Sequence, residues 1–511
     1  MPRRGQRHRS QQRLACIDRP VSGRHAAKPA RPTGVRLVPA GALRHGERAR
    51  LLDTARQWGA ANLQPGSLMN ARLSLCILAC LVAPNLPAQS GEPSVDSARV
   101  ARELWAAAVR GSRAGESRIA LARATRAARA WPTQPAYWTG MARLAAQEGD
   151  VAALTEALDA LAAMQLGQPL VLDTLVRRVA PAAVLERLRI ASADVAGGAI
   201  AATIADTTVF AEGVDVDPAT GTFYVGSVRQ RTVLEVDAGG RVRDLALARW
   251  PSVGGVFGVR VARDGLTLWV TTSGVPQMRG YQAADSAIAF LLQVRRADGR
   301  ILRRISVPAD ARGHVLGDLA IGPAGDVFVT DSKAPWLYRL RPGADTVERT
   351  THALFRSLQG AAPTPDGRAL YVADYSHGLI RIELASGRVT RLADAPGSTS
   401  LGIDGIVLVD GAIVGVQNGV EPARVMRFTL DAAGETIAQA ERLDQRREAD
   451  EPTIGTVWRG QFIYVGTSQW EKYDDDGARK PGVALGLTRL FSVPLAPGAP
   501  RPAQRAPGAS R

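Results

Sequence analysis

Glu212, Gln359 and Asp404 each stand directly before a glycine, and each pair opens a short apolar run. Two carboxylates and an amide carbonyl are hard oxygen donors, the set that suits Ca2+ or Mg2+. A divalent ion held by Glu212 and Asp404 could act as a Lewis acid and lower the pKa of bound water. A carboxylate beside it, Asp404, could then serve as general base. Zinc fits poorly, because the three cysteines are Cys16, Cys76 and Cys80 and the histidines His314, His352 and His377 are scattered.

A repeat makes these positions equivalent. A small or acidic residue and a glycine, an apolar run, a turn and an often aromatic strand recur six times. The anchors fall at 213, 258, 318, 360, 405 and 455, spaced by 45, 60, 42, 45 and 50 residues. Alternating strands follow each anchor, as in Leu337-Tyr-Arg-Leu340 and Leu379-Ile-Arg-Ile382. Turns such as Thr364-Pro365-Asp-Gly367 carry Pro to preset φ and Gly to take positive φ. Four short strands per ~40–50 residues is the arithmetic of propeller blades. The spacing therefore predicts a mainly β fold, a six-bladed propeller of the TolB-like kind over 199–495. The sixth blade runs out of chain, so Ala199–Ile204 is expected to supply its outer strand and close the ring. The long second interval implies an insertion near 274–287 that overhangs one face.

In such a ring the starts of the inner strands converge on one axis. They are Glu212, Phe257, Gly317, Gln359, Asp404 and Ile454. Asp318 lies beside Gly317, His314 just before it, and His377 after an inner-facing strand; all three are candidates for substrate contact. Trp336, Trp458 and Trp470 read as packing residues. Asp474-Asp475-Asp476-Gly477 reads as a solvated turn, since no Glu follows at the twelfth position of a calcium loop.

Several of these motifs together resemble successive blades of the gluconolactonase, senescence-marker and luciferin-regenerating-enzyme propellers. They are Glu212-Gly213, Gly317-Asp318, Gln359-Gly360 with Thr364-Pro-Asp-Gly367 and Tyr371-Val-Ala-Asp374, and Asp404-Gly405. The resemblance covers roughly residues 205–495. It implies one divalent metal, with Ca2+ favoured, bound by an inner Glu, Asn and Asp, and a further Asn holding substrate. Glu212 and Asp404 match by type and place. Gln359 stands where an Asn is usual, and Gly317 stands where the further Asn is usual. The implied reaction is hydrolysis of a lactone or ester, the metal polarising the carbonyl and Asp404 assisting proton transfer to water. The residues alone leave another reading open: a water-filled channel in a non-catalytic propeller that binds a small molecule or a protein.

Residues 93–195 are rich in Ala, Leu and Arg at helical spacing. Gly115, Ala120, Ala124, Ala127 and Pro132 are echoed 34 positions later by Gly149, Leu154, Leu158, Leu161 and Leu166. The segment resembles a tetratricopeptide repeat, whose period is 34. It reads either as a protein-docking module or as a structural cap that leans on its neighbour.

The remaining text is punctuation. The 511 residues carry 64 basic and 48 acidic side chains, a net charge of +16. Fourteen basic and three acidic residues fall in 1–68, so +11 of that charge belongs to an Arg-rich stretch without apolar period. Nucleic-acid binding, which needs a basic face on a folded domain, is not indicated. Residues 69–88 have the order of a signal peptide: Met69-Asn-Ala-Arg72, an apolar run Leu73 to Val82, and Ala88 before Gln89. Met69 is then the expected start, with 1–68 an over-called extension, and the product is expected to be exported to the periplasm or beyond. Lipid anchoring at Cys80 is the lesser variant. The run of ten is too short to span a bilayer, which takes ~20 apolar residues. Residues 496–511 read as a disordered tail.

Overall fold

The computed structural model describes residues 95–446 and 448–495. The expectations for 1–68, 69–88, Cys80 and 496–511 lie outside the described residues. Within them the chain is mainly β: a six-bladed propeller preceded by helices.

Each blade is a four-stranded antiparallel meander. Blade one is β2 (Ala211–Val216), β3 (Phe223–Ser227), β4 (Thr232–Val236) and β5 (Val242–Asp244). Blade two is β6 (Gly255–Val261), β7 (Thr267–Ser273), β8 (Ala289–Arg295) and β9 (Ile301–Ser306). Blade three is β10 (Leu316–Ile321), β11 (Val327–Asp331), β12 (Leu337–Leu340) and β13 (Glu348–Thr350). Blade four is β14 (Leu358–Pro363), β15 (Ala369–Asp374), β16 (Gly378–Glu383) and β17 (Val389–Arg391). Blade five is β18 (Ile403–Val409), β19 (Ala412–Gln417), β20 (Arg424–Leu430) and β21 (Ile437–Asp444). Blade six is β22 (Gly455–Trp458), β23 (Gln461–Val465) and β24 (Thr488–Pro494), completed by β1 (Ala199–Ile204). The register Ala199↔Ser492 to Ile204↔Thr488 closes the ring as the exhausted sixth repeat demands.

Apolar side chains of adjacent blades form a core at each seam. Val214 and Val225 meet Ile463 and Leu490 between blades one and six, while Ile406 and Phe428 meet Tyr371 and Leu379 between five and four. The second strand is buried throughout in blades one to five, whereas β5 and β13 on the rim are exposed.

The residue–glycine pairs have a physical origin. In blades one to five the pairing of first and second strands slips by one residue across the pair, between Ala211 and Val214 and likewise between Leu358 and Ala361. A bulge of this kind frees two residues from the ladder and re-aims their side chains. The glycine is needed because the next blade arrives there. A Cβ on Gly213 would fall 2.3 Å from the Phe257 carbonyl oxygen, and one on Gly360 only 2.4 Å from the Ile406 nitrogen.

The helical segment is two hairpins and three short helices. α1 (Val95–Arg113) turns at Gly115 into α2 (Ser117–Ala130); α3 (Pro135–Glu148) turns at Gly149 into α4 (Val151–Ala163). Both glycines are left-handed, at φ 79° and 70°, so the 34-residue echo marks equivalent turns. Ala120, Ala124, Ala127, Leu154, Leu158 and Leu161 are all buried in one core. Then follow α5 (Gln168–Leu172), α6 (Thr174–Val179) and α7 (Ala182–Ala191). Leu401 and Val420 of the propeller belong to the same core. They lie on the face where inner strands start and second strands end, over blades four and five. No helix among the described residues is long and apolar enough to cross a membrane.

Substituting Gly360→Ala should destabilise the fold by about 1–3 kcal/mol, since backbone of blade five must retreat. Urea denaturation midpoints of variant and parent measure the difference.

Candidate functional site

Glu212, Gln359 and Asp404 occupy the first bulge positions of blades one, four and five, all with 2% exposure or less. None is left to solvent. Trp470 Nε1 donates to Glu212 Oε2 at 2.6 Å. Its ring meets Phe210 edge-on at 4.5 Å and lies 6.2 Å from Phe257. Trp470 belongs to the connection between β23 and β24, which folds over the mouth near blades one and two. There Gly477 lies against the Pro276 carbonyl and Gln277 Nε2 donates to the Asp474 carbonyl at 3.1 Å. The insertion after Gly274 therefore overhangs the mouth as expected. Trp470, expected as plain packing, also caps a carboxylate.

Gln359 is set by serines. Ser332 Oγ donates to its Oε1 at 3.3 Å, and its Nε2 donates to Ser357 Oγ at 3.0 Å. A Cβ on Gly317 would lie 2.6 Å from Ser332 Oγ, so glycine there leaves room for the serine that orients the amide. Asp404 is set by Asn418, whose Nδ2 donates to Asp404 Oδ2 and to the Pro452 carbonyl, each at 2.8 Å. Asn418 Oδ1 is buried without a hydrogen-bond partner.

A second polar layer lies one step deeper. Five blades carry glycine at the second bulge position; blade three carries Asp318, buried at 1% exposure. Arg260 stands two residues after Gly258 and pairs with Asp318 at 3.2 Å. Its Nη1 also donates to the Val259 carbonyl at 2.9 Å. Asp215, at the equivalent place in blade one, accepts from Val261 N at 2.7 Å and Thr456 Oγ1 at 2.6 Å. Asp318 Oδ1 accepts no hydrogen bond. Burial pushes the Asp318 carboxyl up to about 6; Arg260 opposes this, while the negative charges of Asp404 and Asp215 add to it. The layers thus share one electrostatic field, with an acid poised near neutrality.

The two histidines separate. His314 Nδ1 lies 2.7 Å from Asp331 Oδ2, and its Nε2 is buried with no hydrogen-bond partner. His377 is not brought to the channel. Its ring lies parallel to Trp131 of the helical segment, 6.5 Å between centroids, with Nδ1 3.3 Å from Asp374. The cause is that the helices cover the loop that carries it. Asp374 itself is a staple: its carboxylate accepts from the backbone N–H groups of Arg356, Ser357, Ser376 and His377 at 2.7–3.0 Å.

Among the described residues no three His, Cys, Asp or Glu side chains cluster as a metal site. The oxygen set here relies instead on two carboxylates and the amide oxygens of Gln359 and Asn418, of which Asn418 Oδ1 is an orphan. Arg260 and Asn418 were not singled out from sequence, and Trp470 was read only as packing. Extending the repeat alignment two residues past each bulge exposes Asp215 and Arg260 among Ala320, Ala362, Val407 and Val457. Asn418 and Trp470 lie in loops of unequal length, where no alignment points.

No protein-family model matches the chain, and no curated protein does. Solved structures similar to it include a virginiamycin B lyase from Staphylococcus aureus, at 12% identity, covering 57% of this chain and 98% of that one, with a TM-score of 0.40. A gluconolactonase from Xanthomonas campestris is 16% identical, covering 60% and 96%, with a TM-score of 0.40. Regucalcin from Agrobacterium tumefaciens, a calcium-binding protein, is 19% identical, covering 57% and 93%, with a TM-score of 0.40. At these values the likeness carries no information on activity.

The raised Asp318 pKa has a sign. Folding takes up a proton at this group, so its stabilising effect is complete below about pH 4 and is lost as pH rises through about 6. Asp318→Asn cannot ionise. Its stability relative to the parent should therefore rise by about 3 kcal/mol between pH 4 and 7, read from denaturation curves at each pH.

Proposed function

We propose that the chain is a hydrolase of lactones or related esters, dependent on a divalent cation, with Ca2+ the best match. What supports this reading is that Glu212, Gln359 and Asp404 occupy equivalent bulge positions at the starts of three inner strands, with Asn418 Oδ1 unsatisfied beside Asp404. Glu212, Gln359 and Asp404 would hold the cation, and when bound it would supply Lewis-acid polarisation of the substrate carbonyl.

The chain's own groups supply the rest. Asn418 fixes the rotamer of Asp404, which takes the proton from the attacking water. Asp318, shared with Arg260, binds the polar end of substrate and can hold a proton near neutral pH. His314 Nε2 adds a polar contact from blade three. Trp470 excludes bulk water from Glu212, so substrate enters as its loop shifts. The basic and apolar order of residues 69–88 supports reading this work as that of an exported protein.

Calorimetric titration of the purified chain with CaCl2 tests the site. Binding is expected, and loss of binding in Glu212→Gln/Asp404→Asn with unchanged circular dichroism. Hydrolysis across a panel of lactones and aryl esters should fall at least ~100-fold in that variant, the scale on which general bases act. Absence of calcium binding by the folded parent would sink the reading. Asn418→Leu should weaken calcium binding, since it removes both the orienting N–H and the unsatisfied oxygen.

A further inference from the structure

We propose that the seam between α4 and blade five is a binding site for a small oxyanion, centred on Arg424. This does not rest on the hydrolase reading. Arg424 opens β20 and is 2% exposed. Its Nε donates to Gln417 Oε1 at 2.7 Å, and its Nη1 to the Met164 and Gln165 carbonyls at 2.7 and 3.3 Å. Every one of these partners is neutral. Its Nη2 is buried with no hydrogen-bond partner, and among the described residues no carboxylate pairs with it. Burial, and after it the positive charge of Arg442, lower its pKa to about 9.

A buried charge without a counter-ion is costly. The carbonyls at the end of α4 offset part of it, as cations at a helix C-terminus do. They engage Nη1 and leave Nη2 unpartnered, and Arg424 lines a cavity of about 120 Å³. Ala163, Met164 and Gln165 wall it on the helical side, Ser398, Met426 and Ala440 on the propeller side. At ~30 Å³ per water the space holds about four, enough for one carboxylate or phosphate group. With Nε and Nη1 engaged, the two N–H groups of Nη2 remain to donate to it. Because the walls come from both parts of the chain, an occupant would fasten the helical segment to the mouth face.

The test is thermal unfolding of the full chain with inorganic phosphate titrated against NaCl at fixed ionic strength. The parent should show a saturable rise in Tm of about 2 °C. Arg424→Gln should show none. Ala440→Glu places a carboxylate in the cavity without touching Arg424; it should raise the phosphate-free Tm and abolish the response. If Arg424→Gln fails to fold, Ala440→Glu decides, together with phosphate-dependent slowing of amide exchange at Met164–Leu166 in the parent. A Tm that follows ionic strength alone, or an Ala440→Glu chain that responds like the parent, overturns the proposal.

Discussion

Everything at the channel depends on how closely one inner strand can approach the next. The bulge in each of the first five blades brings backbone against backbone, and a Cβ at Gly213, Gly360 or Gly405 would overlap the neighbouring blade. The same slip that demands glycine at its second position turns the first position out of the ladder. Glu212, Gln359 and Asp404 are therefore aimed by the constraint that packs the ring. Structure and candidate chemistry share one two-residue device, repeated.

Asp318 shows what happens when the device is relaxed. Gly258 of blade two still packs on blade three, where a Cβ would lie 3.0 Å from the Asp318 Cα, just as Gly213 packs on blade two. Blade three itself carries a side chain where the other five have glycine, and that side chain is a carboxylate. Burial would neutralise an isolated acid in that place; Arg260, one blade away, keeps it within reach of ionisation. Asp215 and Arg260 stand at the repeat position that holds Ala362, Val407 and Val457 in blades four to six, where they pack with the seam cores.

The repeat was readable because blades are chemically similar and turns are marked by Pro and Gly. The six anchors, the closing strand Ala199–Ile204 and the paired helical glycines all follow from spacing, which local chemistry sets. Glu212, Gln359 and Asp404 were legible for the same reason. Asn418, Trp470 and the place of His377 were not. Each depends on contacts between segments far apart in sequence: Trp470 reaches Glu212 across 258 residues, and Trp131 meets His377 only because the helices settle on blades four and five. Periodicity reports what a segment does for its own blade. It is silent on which loop another domain will cover.

The closing strand carries a consequence for biosynthesis. Ala199 pairs with Ser492, 293 residues further along the chain. During synthesis β1 leaves the ribosome long before its partner exists, and the five complete sheets form an open arc with two unprotected edges. Glu212 on the first blade finds neither Trp470 nor Thr453 until the last blade is made. The helical segment, which precedes the propeller, finds Leu401 and Val420 of its core only once blade five is made. The polar mouth is thus the last part of the molecule to come into being, and a chain truncated before Thr488 would present a nearly finished scaffold that never closes.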